Sequence, residues 1–343
     1  MTLWPVFTGA SEPHDRIRLL PSPPPWRTFD GGPVLDPPRE EAAASPEQDH
    51  RARTYRPTES TVQLVNAALY LRRPLLVTGP PGSGKSSLPY AVARELSLGP
   101  VLRWNITSRT TLEDGLYSYD PLSRLYAASR AADGRPAGGG PGGPAPGEAV
   151  EDHLRLGPLG TALLPYEQPR VLLIDEIDKC DLDLPNDLLN ILEGGWYEIP
   201  ELVRAARSTP EAAVMIDGSD RRVPVRRGRV RCRAFPFVVL TSNGEREFPP
   251  AFLRRCVTLR FARPGQEQLE EIVRAHLGEL DDNARRLLDR FLARAEAGEL
   301  ATDQLLNAIY LTGASGLDTA SRDELAEHLM AYLGPENGGD EFL

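Results

Sequence analysis

The chain has 343 residues, a formal charge of −10, and 41% hydrophobic and 26% charged residues, enough for one large domain or two modest ones with a core that needs no staples. Cys180, Cys232 and Cys256 form no CxxC pair and the histidines do not cluster, which excludes a disulfide framework and argues against structural zinc. No apolar run approaches the ~20 residues of a membrane helix, residues 1–5 lack a signal-peptide pattern, and the acidic balance argues against a surface built throughout for nucleic acid, so a reducing, cytoplasmic setting is expected.

Residues 1–54 form a proline- and charge-rich arm. Residues 20–26 should be extended and partly polyproline-like, and residues 36–53 polar and mobile. Trp4, Phe7, Trp26 and Phe29 are costly to leave in water. Two readings therefore stand: a disordered tail, or an arm packed on its own body or on a neighbouring subunit. From Thr58, the positions Val62, Leu64, Val65, Ala68 and Leu71 approximate a helical stripe. A short apolar strand at 74–78 runs into a glycine-rich loop at 79–86, followed by a helix to about Leu96. Further strands are expected at 101–105, 171–174, 237–241 and 256–261, with helical patterns between several of them. The class is α/β, with a mainly parallel five-stranded sheet over 55–264. The stretch 134–147 holds seven glycines and four prolines and reads as a flexible loop. After Pro264 the strands stop, and helices at 266–280, 283–297, 303–312 and 321–333 should form a small helical domain over 265–343.

Gly79-Pro80-Pro81-Gly82-Ser83-Gly84-Lys85-Ser86, with Ser87 opening the helix, has the spacing and the strand–loop–helix setting of a phosphate-binding loop. Its glycines let backbone N–H groups turn inward around phosphate oxygens, and the helix N-terminus adds donors and dipole. Lys85 would reach the β- and γ-phosphates and the Ser86 hydroxyl would coordinate Mg²⁺. Lys85 and Lys179 are the two lysines among 39 basic residues. The apolar strand ending in Asp175-Glu176 supplies the second half of such a site. Asp175 can hold Mg²⁺ through water, and Glu176 can polarise a water for in-line attack on the γ-phosphate. Asp178 and Lys179 read as a solvated turn.

This ordered set, with a polar residue closing the fourth strand and an arginine pair after it, resembles the AAA+ ATPases, most of all the MoxR-like and dynein-related branch, over about residues 55–333. The resemblance implies ATP and Mg²⁺ as cofactors and a ring, most often hexameric. It implies that Asn243 acts as the first sensor. It implies a trans-acting arginine finger in the segment 248–256, with Arg255 as first choice and Arg254 as second. It also carries over to Asn105 a role in restraining the catalytic glutamate. The family's second-sensor arginine is missing from 300–306, which puts lid coupling in doubt. The expected role is remodelling or regulation of a protein partner, often alongside a von Willebrand factor A-type protein.

Residues 221–233 hold seven arginines and read, within 219–234, as a β-hairpin whose arginines project away from its apolar side. Either it is a pore loop gripping a polyanionic or acidic partner, or a solvated hairpin packed on a neighbour. Two alternative functions remain open: a nucleic-acid or restriction-type NTPase motor acting through 221–233, and a nucleotide-gated switch in a defence or signalling system. The sequence does not decide ATP over GTP.

Overall fold

The computed structural model describes residues 5–36, 45–132, 149–181, 183–295 and 301–314, together with 321, 324–326 and 329. The Gly/Pro loop at 134–147, Trp4 and most of the fourth C-terminal helix lie outside the described residues.

In chain order the elements are α1 (Pro46–Thr54), α2 (Glu59–Leu71), β1 (Leu75–Thr78), α3 (Leu88–Glu95), β2 (Leu102–Asn105), α4 (Leu112–Leu116), β3 (Tyr117–Tyr119), α5 (Pro121–Ala132), β4 (Leu154–Leu156), α6 (Pro158–Ala162), β5 (Val171–Asp175), α7 (Asp183–Gly194), β6 (Trp196–Glu198), α8 (Pro200–Ala205), β7 (Glu211–Met215), β8 (Arg222–Arg226), β9 (Arg229–Arg231), β10 (Phe237–Ser242), α9 (Pro250–Leu253), β11 (Val257–Arg260), α10 (Gln266–Leu277), α11 (Asp282–Ala295) and α12 (Thr302–Ala314).

Five strands form an all-parallel sheet in the order β11-β1-β10-β5-β2. Its three central strands, β1, β10 and β5, are apolar runs because both faces are covered. Leu76, Leu172, Ile174, Val238 and Leu240 face one core. Leu75, Val77, Val171, Leu173, Phe237 and Val239 face the other, as the two-residue period of a strand requires.

A second sheet, in the order β3-β4-β7-β8-β9-β6, packs on the first of these cores. Only β8 and β9 were legible in the sequence, so the five-stranded expectation describes half of the β-structure. The hairpin turns at Arg227-Gly228, both with positive φ (51° and 70°), as a two-residue I′ turn demands. Val223, Val225, Val230 and Cys232 are buried while the arginines face outward. Four of those arginines meet carboxylates: Arg222 with Asp152, Arg226 with Glu211, Arg229 with Glu198, and Arg231 with Asp30.

The described part of the arm is packed. Val6 and Phe7 are fully buried, and their N–H groups donate to Asn66 Oδ1 at 2.7 and 3.0 Å. The Arg27 guanidinium is buried against the carbonyls of Arg72, Leu192 and Glu193 and stacks over Phe29 and Phe235. Trp26 remains 75% exposed. Helices α10–α12 enclose their own core around Leu269, Val273, Leu287, Leu288, Phe291 and Leu305.

Candidate nucleotide site

The parallel strands end on one side of the sheet, where open α/β sheets place their ligands. A cleft of about 630 Å³ lies there, a size that suits a small-molecule ligand. Its floor is residues 81–87 of the loop with Arg103, Asp175, Glu176, Thr241 and Asn243; Arg51, Thr54, Tyr55 and Thr61 stand on one wall, and Gln268, His276, Thr302 and Leu306 of the helical domain on another.

The loop has the required backbone. Gly82 and Gly84 lie in the left-handed region, at φ of 68° and 84°, where a Cβ is disfavoured. A Cβ on Gly82 would also meet Ala301 Cβ at 2.6 Å, so the start of α12 presses on the loop. The expected helix after the loop begins as a single 3-10 turn at Lys85–Ser87 and becomes α-helical only at Leu88. Pro89 has no N–H to bond back to Lys85, which explains the tighter first turn.

Lys85 is buried, and its Nζ donates to the carbonyls of Gly79 and Pro80, each at 2.8 Å. Burial lowers its pKa, with Asp178, Asp175 and Glu176 pulling the other way. Ser86 Oγ and Thr241 Oγ1 both donate to Asp175 Oδ1 at 2.7 Å, and Arg103 donates to Asp175 Oδ2 at 2.9 Å. Glu176 sits at φ 62°, a position that costs a non-glycine residue about 1–2 kcal/mol and persists only where neighbours fix it. Thr241 Oγ1 accepts its N–H at 2.9 Å, and Lys179 Nζ donates to its Oε2 at 2.7 Å.

The solvated-turn reading fails for Asp178. That carboxylate is 2% exposed, and its Oδ2 accepts the backbone N–H groups of Asn243 and Glu245 at 2.9 and 3.1 Å. It ties the turn after β5 to the turn after β10, and so fixes Asn243 at the cleft. Its other oxygen is buried and has no hydrogen-bond partner among the described residues. Asn105 is exposed, does not line the cleft and makes no hydrogen bond to Glu176 among the described residues; Lys179 holds that glutamate instead.

Arg254 and Arg255 lie away from the cleft. They precede β11, whose first residue pairs with the start of β1, so they occupy the far end of the sheet from the loop. Arg255 pairs with Glu193 of α7 and donates to the Ala251 carbonyl, and the Arg254 carbonyl accepts from Arg73.

Comparison with known proteins agrees with this geometry. A family described as AAA domain (dynein-related subfamily) matches residues 74–256, more than half of the chain. The chain belongs to this AAA family. The matched span opens just before β1 and closes just before β11, so it contains the loop, Asp175, Glu176, Asn243 and the arginine pair. No curated protein matches. Among solved structures, NtrX from Brucella abortus is similar at 15% identity and a TM-score of 0.37, over 79% of this chain and 55% of that one. The chain thus spans about half the length of that protein.

The AAA site fits a nucleotide triphosphate with Mg²⁺. Two left-handed glycines free the loop N–H groups, and among the described residues a buried lysine donates only to carbonyls of the same loop. A hydroxyl and a carboxylate oxygen converge at Ser86 and Asp175. Mg²⁺ suits such a sparse oxygen set, because it keeps several waters and takes further oxygens from phosphates. Among the described residues no group of three or more His, Cys, Asp or Glu could hold a metal, and no described helix is long and apolar enough to cross a membrane.

Proposed function

We propose that the chain is a Mg²⁺-dependent ATPase that works as an oligomeric, hexameric ring to remodel or regulate a protein partner in the cytoplasm, in the manner of MoxR-like proteins, with a von Willebrand factor A-type partner as one candidate. The observation that carries the hydrolytic part is the convergence of Lys85, Ser86, Asp175, Glu176 and Asn243 on one cleft. In this reading residues 79–87 cradle the phosphates. Ser86 and Asp175 hold the metal, which neutralises phosphate charge when bound. Glu176 takes a proton from the attacking water, and Asn243 orients that water or the γ-phosphate. Arg255, or Arg254, completes the site of the adjacent subunit. Arg51, Thr54, Tyr55, Arg56, Thr58, Ser60 and Thr61 line the cleft beside the loop and would supply the wall for the base.

Ion pairing of the hairpin arginines leaves less free charge for a polyanion than their number suggests, which disfavours a nucleic-acid motor. The nucleotide-gated switch stays as a second reading, favoured by the Glu176–Lys179 pair and by a helical domain that, among the described residues, meets Gly82 through Ala301 and Thr302 rather than an arginine. Steady-state hydrolysis with Mg²⁺ separates the two: sustained turnover supports the motor, and tight binding with assembly but negligible turnover supports the switch. Lys85→Ala should lose tight ATP binding in either case, measured with a fluorescent ATP analogue; unchanged binding removes the phosphate-loop assignment.

A further inference from the structure

Arg103 lies on β2, an edge strand that alternates buried Leu102 and Trp104 with exposed Arg103 and Asn105. Asn105 pairs with Asp175 across the β2–β5 ladder, and Arg103 stands two residues back on the same face. Its side chain reaches over that step to Asp175 Oδ2 at 2.9 Å, while remaining 42% exposed and lining the cleft. Its guanidinium has no other hydrogen bond or ion pair among the described residues.

Asp175 is almost fully enclosed, its side chain 8% exposed. Its Oδ1 is taken by two hydroxyls and its Oδ2 by Arg103. A carboxylate this buried needs a counter-charge, and Arg103 is the cation in contact with it. A divalent ion held at Ser86 and Asp175 would bring a second positive centre to the same carboxylate. At such range, in a partly desolvated cleft, the two cations repel strongly. A guanidinium does not escape by losing its proton, so it has to leave. A long side chain, exposed and anchored by one contact, can do so at the cost of that contact alone.

We propose that Arg103 is a built-in competitor for the metal: it neutralises Asp175 when no divalent ion is present and must swing off for Mg²⁺ to bind with nucleotide. Arg103 is thereby a positioning residue that sets the coupling between metal and nucleotide. This inference rests on the nucleotide reading above.

The test measures the dissociation constant of a fluorescent ATP analogue in chelator and in saturating Mg²⁺; the ratio of the two is the coupling factor. Arg103→Gln, which keeps a polar donor but no charge, should raise that ratio about tenfold over wild type, the scale of one charge-assisted hydrogen bond. Arg103→Lys, which restores the charge, should bring it back towards wild type. Thermal melts establish that the variants are folded, and Arg103→Met replaces the glutamine variant if that one is not. A ratio unchanged in Arg103→Gln overturns the proposal, and a lower ratio overturns it in favour of a direct Arg103–phosphate contact. Wild type that binds no nucleotide under either condition sinks the nucleotide reading and this inference with it; a normal wild-type ratio with an unresponsive Arg103→Gln sinks this inference alone.

Discussion

In the parallel sheet, β1, β5 and β10 are apolar along nearly their whole length, and polar groups gather where the strands end, at the 79–87 loop, Asp175 and Asn243. In the six-stranded sheet, buried valines alternate with exposed arginines, and Arg222, Arg226, Arg229 and Arg231 each meet a carboxylate. The contrast follows from burial. A strand covered on both faces can carry charge only at its ends, where the charge is desolvated and available to a ligand. A strand with one wet face can carry charge anywhere along it, but there it is cheap and quickly neutralised. The cleft therefore forms at the end of the first sheet, and the second presents a charge-paired outer face.

The sharpest challenge to this division concerns Arg255, which belongs to neither the cleft nor the hairpin. Arg255→Ala should bind nucleotide normally yet hydrolyse about 10³–10⁵-fold more slowly if it acts on a neighbour. Mixing it with Glu176→Gln should give more activity than either variant alone, because some interfaces then regain both groups. A mixture that co-assembles but stays inactive transfers the role to Arg254, to be tested in the same way.

The two sheets should also differ in stability. Leu173→Ala, in a fully buried parallel strand, should cost about 2–5 kcal/mol in chemical denaturation. Arg226→Ala breaks an exposed pair with Glu211 and should cost under about 1 kcal/mol. Comparable losses would mean that the hairpin charges are structural to a degree their exposure does not suggest.

A smaller effect is expected where α1 meets α10. His50 and His276 approach to 3.1 Å between ring nitrogens. Burial, then His50 and Arg56, lowers the His276 pKa. The folded state thus resists protonation more than the unfolded one, so stability present above the ordinary histidine pKa falls as pH drops through it towards the folded value. Between pH 7.5 and 5.5, His276→Asn should lose less melting temperature than wild type, by about 1–2 °C. An identical loss in both proteins would show that the pair does not report on this contact.

Much of the parallel sheet was legible because uninterrupted apolar runs have few other uses, and the loop because its spacing and its rare lysine coincide. Of the second sheet only the β8–β9 hairpin was. Strands β3, β4 and β6 are three residues long, and β4 pairs with β7 across a wide gap in sequence; such short runs carry too little periodicity to read. The packed arm hinged on Asn66, a polar residue inside a helical stripe whose partner lies at Phe7. The roles of Arg103 and Asp178 escaped because they depend on which strands and turns lie side by side, and a strand at 101–105 alone does not say that β2 borders β5. Lys179 was singled out for its rarity, but its grip on Glu176 needed the left-handed turn at that residue.

On the proposed reading, different residues of one cleft hold a nucleotide and hydrolyse it. The most direct measurement is binding and turnover of ATP by Glu176→Gln in the same preparation, beside wild type. Wild-type affinity is expected, with turnover reduced about 10²–10⁴-fold, the usual consequence of losing a general base. Wild-type turnover by Glu176→Gln, or loss of binding in step with turnover, would contradict it.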